Sequence, residues 1–363
     1  MSRKRILLAA IVIGNCQLLF LPTLTRAQDL HFSQYNETPS LVNPALTGAA
    51  SNYRLGTVYK NQWGSVTVPY VTYGAMFEMR LKLSAWEKVD QHLTEIYKKA
   101  LRKVAAGVDF YKDQAGDGQM SSTRGDLSLS SLVQIGKNAT ISAGLMGGMV
   151  QKTIDFTKLV WPDQYNGAGY DPRMNSGESI STSNFTNGDF AFGLLWRYST
   201  DEASIRANNQ VQADAGAAMY HINRPRQKFL GYDIRLDRKY VFHSKCLFGI
   251  KNTNVSLVPS IMAEFQGKTK EVLMGSIIKY HFKDDSKFTG WISGSYFNIG
   301  AYYRYRDAIV AYTGLEFKQF NLGISYDVNV SKLHVVSSYK GGVEITLRVV
   351  GVTPYIFQNS SRF

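Results

Sequence analysis

The feature that most limits what this chain can become is a strict alternation near its end. From Asn321 to Val330, the residues Leu322, Ile324, Tyr326, Val328 and Val330 are apolar or aromatic. Asn321, Gly323, Ser325, Asp327 and Asn329 between them are polar or Gly. After a polar turn the pattern resumes, with Val343, Ile345, Leu347 and Val349 on one face and Glu344, Thr346 and Arg348 on the other. Successive side chains of a strand point to opposite faces, so this is a β-hairpin with one apolar and one polar face.

The same unit recurs along the chain. Strands are expected at 53–62, 70–81, 104–112, 124–135, 139–151, 189–199, 210–222, 239–250, 255–266, 270–282, 293–304 and 307–317, before the closing hairpin. The segments each approach the ~9–11 residues that cross a bilayer at a tilt. Connections such as Gly136-Lys137-Asn138, Lys251 to Asn254 and Lys318-Gln319 are short, whereas 152–188, 223–238 and 331–340 are long. Short turns on one side and long loops on the other are the mark of an outer-membrane barrel with both termini in the periplasm.

A soluble β-sandwich also alternates, so the class rests on what the second face carries. Arg54, Lys60, Glu78, Arg80, Asp109, Asp126, Asp214, Glu264, Lys279, Arg304, Asp327, Glu344 and Arg348 all fall on it. A sandwich core cannot hold so many charges, but a barrel lumen can if they pair. Both signs occur, so a cross-linked, largely blocked lumen is expected. The lumen network would include Arg54, Glu78, Arg80, Asp109, Asp214, Arg304, Asp327, Glu344 and Arg348. Tyrosines near strand ends, among them Tyr53, Tyr59, Tyr70, Tyr73, Tyr198, Tyr220, Tyr280, Tyr303 and Tyr326, suit the aromatic girdles of a membrane wall. The mean hydropathy of −0.19 fits an apolar outer face diluted by a polar inner one. The expected fold is an all-β, antiparallel transmembrane barrel of about 14 strands. Twelve or sixteen strands are the alternatives.

Residues 1–27 follow another logic. Arg3-Lys4-Arg5 precede an apolar run from Ile6 to Leu21, and Thr25-Arg26-Ala27 offers a cleavage site. This is a secretory signal peptide. Its removal takes Arg3, Lys4, Arg5 and Arg26 away, lowering the net charge from +13 to +9 and leaving Cys246 as the single cysteine. An exported basic chain meets acidic envelope material and outer-membrane lipid, not nucleic acid. Residues 28–50 are irregular and rich in turn chemistry, as in Asn43-Pro44 and Thr47-Gly48. This segment is expected in or under the barrel formed by residues 51–363.

Two insertions stand out. At 84–103 a capping box of Ser84 and Glu87 opens an amphipathic helix with Trp86 on its apolar stripe. Lys98, Lys99, Arg102 and Lys103 gather at its end. Such a helix, on the periplasmic side, either caps the barrel mouth or docks a partner. The loop 152–188 holds Trp161, Tyr165 and Tyr170 among Gly and Asn, a composition suited to recognising protein or glycan, or to folding back on the barrel mouth. Its acids, with Asp155, Asp163, Asp171, Glu178 and Asp189, look like solvated loop acids rather than a cation site.

No reaction chemistry stands out. The six histidines lack metal-ligand spacing, and no Gly-x-Ser-x-Gly elbow occurs. His243 and Ser244 are adjacent in a strand and so face apart. The sequence reads as non-enzymatic and points to no cofactor or metal.

Together, Asp29-x-His31-Phe32-Ser33-Gln34, Asn43-Pro44-Ala45 with Gly48, Asn61-Gln62-Trp63 and Pro69-Tyr70-x-Thr72-Tyr73 resemble the start of the PorP/SprF family. Pro259, Gly275, Tyr303-Arg304 with Asp307-Ala308, Ser325-Tyr326-Asp327 with Asn329 and Ser331, and Gly341-Gly342-x-Glu344 extend the resemblance through the mature chain. It implies an outer-membrane barrel of the type IX secretion and gliding systems of Bacteroidetes. It further implies a role in exporting or anchoring a secreted surface protein, often an adhesin with a type B C-terminal domain. Contact with periplasmic machinery is implied as well, and no catalytic residues are. A passive porin or small-molecule transport barrel is the alternative.

Overall fold

The computed structural model describes residues 29–351, apart from 65–67, 82–101, 117, 157–158, 178–182, 201–207, 230–231, 284–294 and 332–338. Its strands are β1 (Tyr53–Gln62), β2 (Tyr70–Leu81), β3 (Arg102–Ala115), β4 (Met120–Gln134), β5 (Ala139–Ile154), β6 (Ser183–Ser199) and β7 (Val211–Tyr220). A small hairpin, β8 (Arg226–Phe229) and β9 (Tyr232–Arg235), follows. The wall continues with β10 (Lys239–Gly249), β11 (Val255–Gln266), β12 (Thr269–Lys283), β13 (Ser295–Arg304), β14 (Ala308–Phe317), β15 (Phe320–Asn329) and β16 (Lys340–Gly351). All except β8 and β9 pair with their neighbours in one closed antiparallel barrel of fourteen strands. Closure is made by β1 and β16, from Tyr53 opposite Gly351 to Gln62 opposite Gly342. Closure leaves the sheet without an open edge, as a lipid environment requires.

The alternation sorts side chains as expected. In the closing hairpin Leu322, Ile324, Tyr326, Ile345 and Leu347 are exposed on the outer wall, while Asp327, Asn329 and Glu344 are buried inside. Phe190, Phe192, Leu194 and Trp196 do the same on β6. One girdle tyrosine is corrected: Tyr220 has the parity of the inward residues and is buried, and its hydroxyl donates to the Ser40 carbonyl at 2.5 Å.

The two ends of the barrel differ. One carries both ends of the sheet, Tyr53 and Gly351, together with the short turns after β4, β10 and β14; we call it the terminal end. The other, the loop end, carries residues 155–177 and the β8–β9 hairpin.

The barrel is not hollow. Residues 29–52 run through the lumen as a plug with one four-residue helix, α1 (Pro39–Val42), between two single-turn 3-10 helices. The first leg starts at the loop end, where Asp29 meets His221 just beyond β7, and descends to Glu37 beside Arg54. The second runs from Asn43, beside Leu194 and His243, down to Ala49 at the terminal end. The expectation that both termini share one side falls on residues outside those described. The two ends of the sheet share one side, but Asp29 lies at the opposite mouth, because the plug crosses the lumen before β1 begins.

The plug packs on apolar patches of the inner wall as well as on charges. Phe32 and Leu41 sit among Val58, Met76 and Tyr111, and Tyr35 and Val42 join Tyr220, Met262 and Tyr302. Burying such side chains stabilises by roughly 1.5–3 kcal/mol each. The second leg needs a wall without side chains: a Cβ on Gly144 would collide with the Pro44–Ala45 peptide, and one on Gly193 with the Asn43 carboxamide.

The signal peptide, and Trp86, Lys98 and Lys99 of the helix expected over 84–103, lie outside the described residues. Its last two residues are corrected. Arg102 and Lys103 belong to β3, paired with Val133 and Leu132, so the sheet's hydrogen bonds override the helical pattern there.

Candidate functional site

The lumen is the place where residues from the whole chain meet. The Ser33-Gln34 dipeptide is gripped by the closing hairpin, almost 300 residues away. The Ser33 and Gln34 amides donate to the two oxygens of Glu344 at 2.7 and 3.0 Å. The Ser33 hydroxyl donates to Asp327 at 2.8 Å. Gln34 donates to Ser325 and accepts from Thr346. Lys60 neutralises Glu344 at 3.2 Å, and Arg304 spans Asp327 at 3.0 Å and Glu271 at 3.3 Å. The Ser-Tyr-Asp and Gly-Gly-x-Glu sequences are thus two halves of one clamp on the plug. The strand register shifts between Tyr326 and Val328, which sets Gly341 and Gly342 opposite Asp327 alone. A Cβ on Gly341 would strike the Asp327 carbonyl, so the Gly-Gly pair makes room for this bulge.

A second cluster surrounds Glu37. It takes Arg54 at 3.1 Å and Arg348 at 3.0 Å, while Arg54 also faces Glu78 at 3.9 Å. Arg348 reaches Glu316, which holds Lys279 at 2.7 Å. A third cluster lies at the loop end. His221 is held between Asp29 at 2.5 Å and Asp189 at 2.9 Å, and Arg124 pairs with Asp126 at 2.5 Å and Asp189 at 3.2 Å. Lys239 stands 3.8 Å from Asp29 and 3.9 Å from Glu264, and a cavity of about 130 Å³ opens beside this group. Burial opposes the charge on His221, but Asp29 and Asp189 outweigh it and raise its pKa. Burial also opposes ionisation of Asp29, yet His221, Lys239 and Arg124 hold its carboxyl below the usual carboxylate range. His31 goes the other way. Burial first, then the nearby Lys60 and Arg304, push it well below an ordinary histidine.

At the terminal end Arg80 donates to the carbonyls of Gly48 at 2.7 Å and Ala49 at 3.0 Å, and Glu78 accepts from the Gly48 amide at 2.9 Å. Arg197 pairs with Asp214 at 2.6 Å and also donates to the Ala49 carbonyl. Asp109 is buried in mid-lumen and makes no ion pair among the described residues. The geometry therefore brings Arg54, Glu78, Arg80, Arg304, Asp327, Glu344 and Arg348 into contact with the plug or with each other, while Asp214 is held by Arg197.

Sequence reasoning missed Asp29, His221, Arg124 and Glu37 as members of these clusters. Their partners lie far away in the chain, so no local spacing announces them. Asp189, read as a solvated loop acid, is corrected: it sits inside β6 and points into the lumen, 2% exposed. In the outer loop Tyr165 and Tyr170 stand 51% and 60% exposed and pack edge to face at 5.3 Å across an isolated β-bridge. Asn166 accepts from the Ala168 and Gly169 amides and fixes the turn between them. Trp161 is half-buried and apart from this pair.

A closed barrel with an apolar outer wall and an occupied lumen is an integral outer-membrane protein. The sequence matches the type IX secretion system membrane protein family PorP/SprF over residues 24–349. The chain belongs to the PorP/SprF family and is an outer-membrane component of that secretion system. Among curated proteins no sequence matches. Among solved structures it is similar to the Ralstonia pickettii toluene transporter TbuX, at 10% identity over 87% of this chain and 94% of that one, with a TM-score of 0.46. It is also similar to the translocator domain of the autotransporter NalP from Neisseria meningitidis, at 11% identity over 87% and 95%, with a TM-score of 0.38. A third is BamA from Haemophilus ducreyi lacking POTRA domains 1–3, at 8% identity over 82% and 70%, with a TM-score of 0.40.

Proposed function

We propose that this barrel is a non-enzymatic binding and anchoring component, not a conduit. In this reading its loop end faces the cell exterior and engages a secreted surface protein, an adhesin with a type B C-terminal domain. Its terminal end faces the periplasm and contacts secretion machinery. The observation that carries the reading is the plug. Asp29 to Asn52 fill the lumen and are tied to both walls by buried ion pairs, so solute passage would require breaking them. The longest connection, between β5 and β6, lies at the loop end and supports the orientation. The exposed pair of Tyr165 and Tyr170 suits the outer contact, being rigid, amphipathic and clear of the wall. Trp161, the segment with Trp86, Lys98 and Lys99, and Arg102 at the start of β3 complete the candidate contacts.

Two measurements separate this from a passive porin. Reconstituted in a planar bilayer, the full chain is expected to show no large stable conductance; steady porin-like channels would sink the anchoring reading. Purified in mild detergent from its own cells, it is expected to bring down a large surface protein, and Tyr165→Ala with Tyr170→Ala to weaken that capture while sparing the barrel.

A further inference from the structure

At the terminal mouth, Arg80, Arg197 and Lys103 face inward around a cavity of about 80 Å³ beneath the Ala49 carbonyl. The three cations are not equally balanced. Arg197 has Asp214 at 2.6 Å. Among the described residues Arg80 has only neutral acceptors, the Gly48 and Ala49 carbonyls and the Asn52 side chain at 2.7, 3.0 and 3.1 Å. Glu78, the acid on the same strand, is turned to the Gly48 amide and Arg54. Lys103 makes no ion pair among the described residues. The rest of the lining is neutral, with Gln134 and Thr140 as further hydrogen-bonding groups. A concave, half-enclosed space with two cations lacking counter-charge among the described residues is poor as bare structure, since unpaired charges out of water are costly. It is well suited to an oxyanion, because a planar guanidinium and a lysine ammonium together bind one by charge-assisted hydrogen bonds.

We propose that this cavity is a binding site for a carboxylate presented by an acidic peptide segment entering the lumen from the water at the terminal mouth. The cavity has room for a carboxylate or phosphate group, and its cations select for negative charge. The inward position favours the peptide: bilayer phosphates lie against the outer wall, and the sheet stands between them and Lys103. Because Arg80 and Arg197 also hold the Ala49 carbonyl, an arriving carboxylate competes with the plug for the same donors. Binding here loosens Gly48 to Asn52, the joint between plug and β1. The inference goes beyond the anchoring role, and uses the orientation proposed above only to name the compartment.

The test uses the full chain in a zwitterionic detergent, with N-acetylated hexaglutamate as probe and hexaglutamine as control, read by calorimetry. Hexaglutamate is expected to bind saturably and with salt sensitivity, hexaglutamine not at all. Lys103→Gln should weaken binding about tenfold, and its combination with Arg80→Gln should abolish it. Lys318→Gln, in the turn after β14, should change nothing. Since Arg80 also supports the plug, Lys103→Gln, which removes no contact to the plug, is the decisive variant. Absence of hexaglutamate binding, or binding indifferent to Lys103→Gln, would overturn the site. Displacement of the peptide by equimolar inorganic phosphate would overturn the carboxylate assignment. Binding that leaves hydrogen exchange at Gly48 to Asn52 unchanged would overturn the coupling. None of these readouts depends on which way the barrel faces in the cell.

Discussion

Arg124 near one mouth of the lumen and Arg80 near the other are both inward guanidiniums on wall strands close to the plug, yet they keep different company. Arg124 sits between two carboxylates, within a group that also holds Asp29, His221, Lys239 and Glu264. Among the described residues Arg80 hydrogen-bonds only carbonyls and a carboxamide. The contrast extends along the axis. Toward the loop end, Asp113, Asp126, Asp189, Glu264, Glu271, Asp327 and Glu344 outnumber Lys60, Arg124, Lys152, Lys239 and Arg304. Toward the terminal end, Arg54, Arg80, Lys103, Arg197, Lys245, Lys279 and Arg348 outnumber Glu37, Glu78, Asp214 and Glu316. The lumen is therefore polar along its length. One end of the plug is latched by ionic bonds, and the other is hung from guanidiniums by its own backbone. The first arrangement is strong and selective; the second is weaker and open to exchange.

The largest effect is expected where the ionic latch is cut. Glu344→Ala removes the acceptor of two plug amides and leaves Lys60 buried without its partner. Breaking a buried pair in this way costs about 3–5 kcal/mol. The barrel wall does not depend on Glu344 for its ladder, so the heat-dependent gel shift of a folded barrel should survive. Hydrogen exchange over residues 30–37 should accelerate by orders of magnitude and bilayer conductance should appear. Loss of the gel shift would mean that plug and wall fold as one unit.

A smaller effect is expected on the other leg. Gly144→Val places a branched side chain against the Pro44–Ala45 peptide, and overpacking of this kind costs about 1–3 kcal/mol. Exchange should rise over residues 43–49 and stay slow over 30–34. If both legs loosen together, the two mouths are not independent and the comparison fails.

The division between what the sequence discloses and what it hides runs along the same line. The wall was legible because lipid demands an apolar residue at every second position, and β1, β2 and β11 begin and end where the alternation does. The limits slipped where that demand ends. β6 starts at Ser183 and β4 at Met120, several residues before the pattern does, because outward positions there, such as Asn184 and Thr186, need not be apolar. The plug has no period at all. Its backbone is satisfied by side chains more than 300 residues away, as with Ser33 and Glu344, and only the resemblance to a family marked those residues as belonging together. Lys103 misled because a basic helix end and a barrel strand start look alike when the lumen itself takes cations.

The gentlest way to separate the two mouths is pH, because the loop end holds two histidines shifted in opposite directions. At the loop end His221 has a raised pKa, so its contribution is complete below the ordinary histidine value of about 6.5 and is lost as pH climbs through the raised one. His31 has a depressed pKa and stays neutral while seated, so acidification below about 6.5 favours the released segment, where it can take a proton. Asp29, held low, adds nothing until strong acid. The ionic latch should thus be tightest near pH 6.5 and loosen on both sides. At the terminal end Arg80 and the carbonyls it holds do not titrate in this range. Intrinsic-rate-corrected exchange at pH 5, 6.5 and 9 should show protection of residues 30–34 peaking in the middle, with residues 45–49 flat. His221→Gln should remove the alkaline limb and leave the acid one, since the two limbs belong to different histidines. A parallel response of both segments would mean that the charge gradient acts on the plug as a whole, not mouth by mouth.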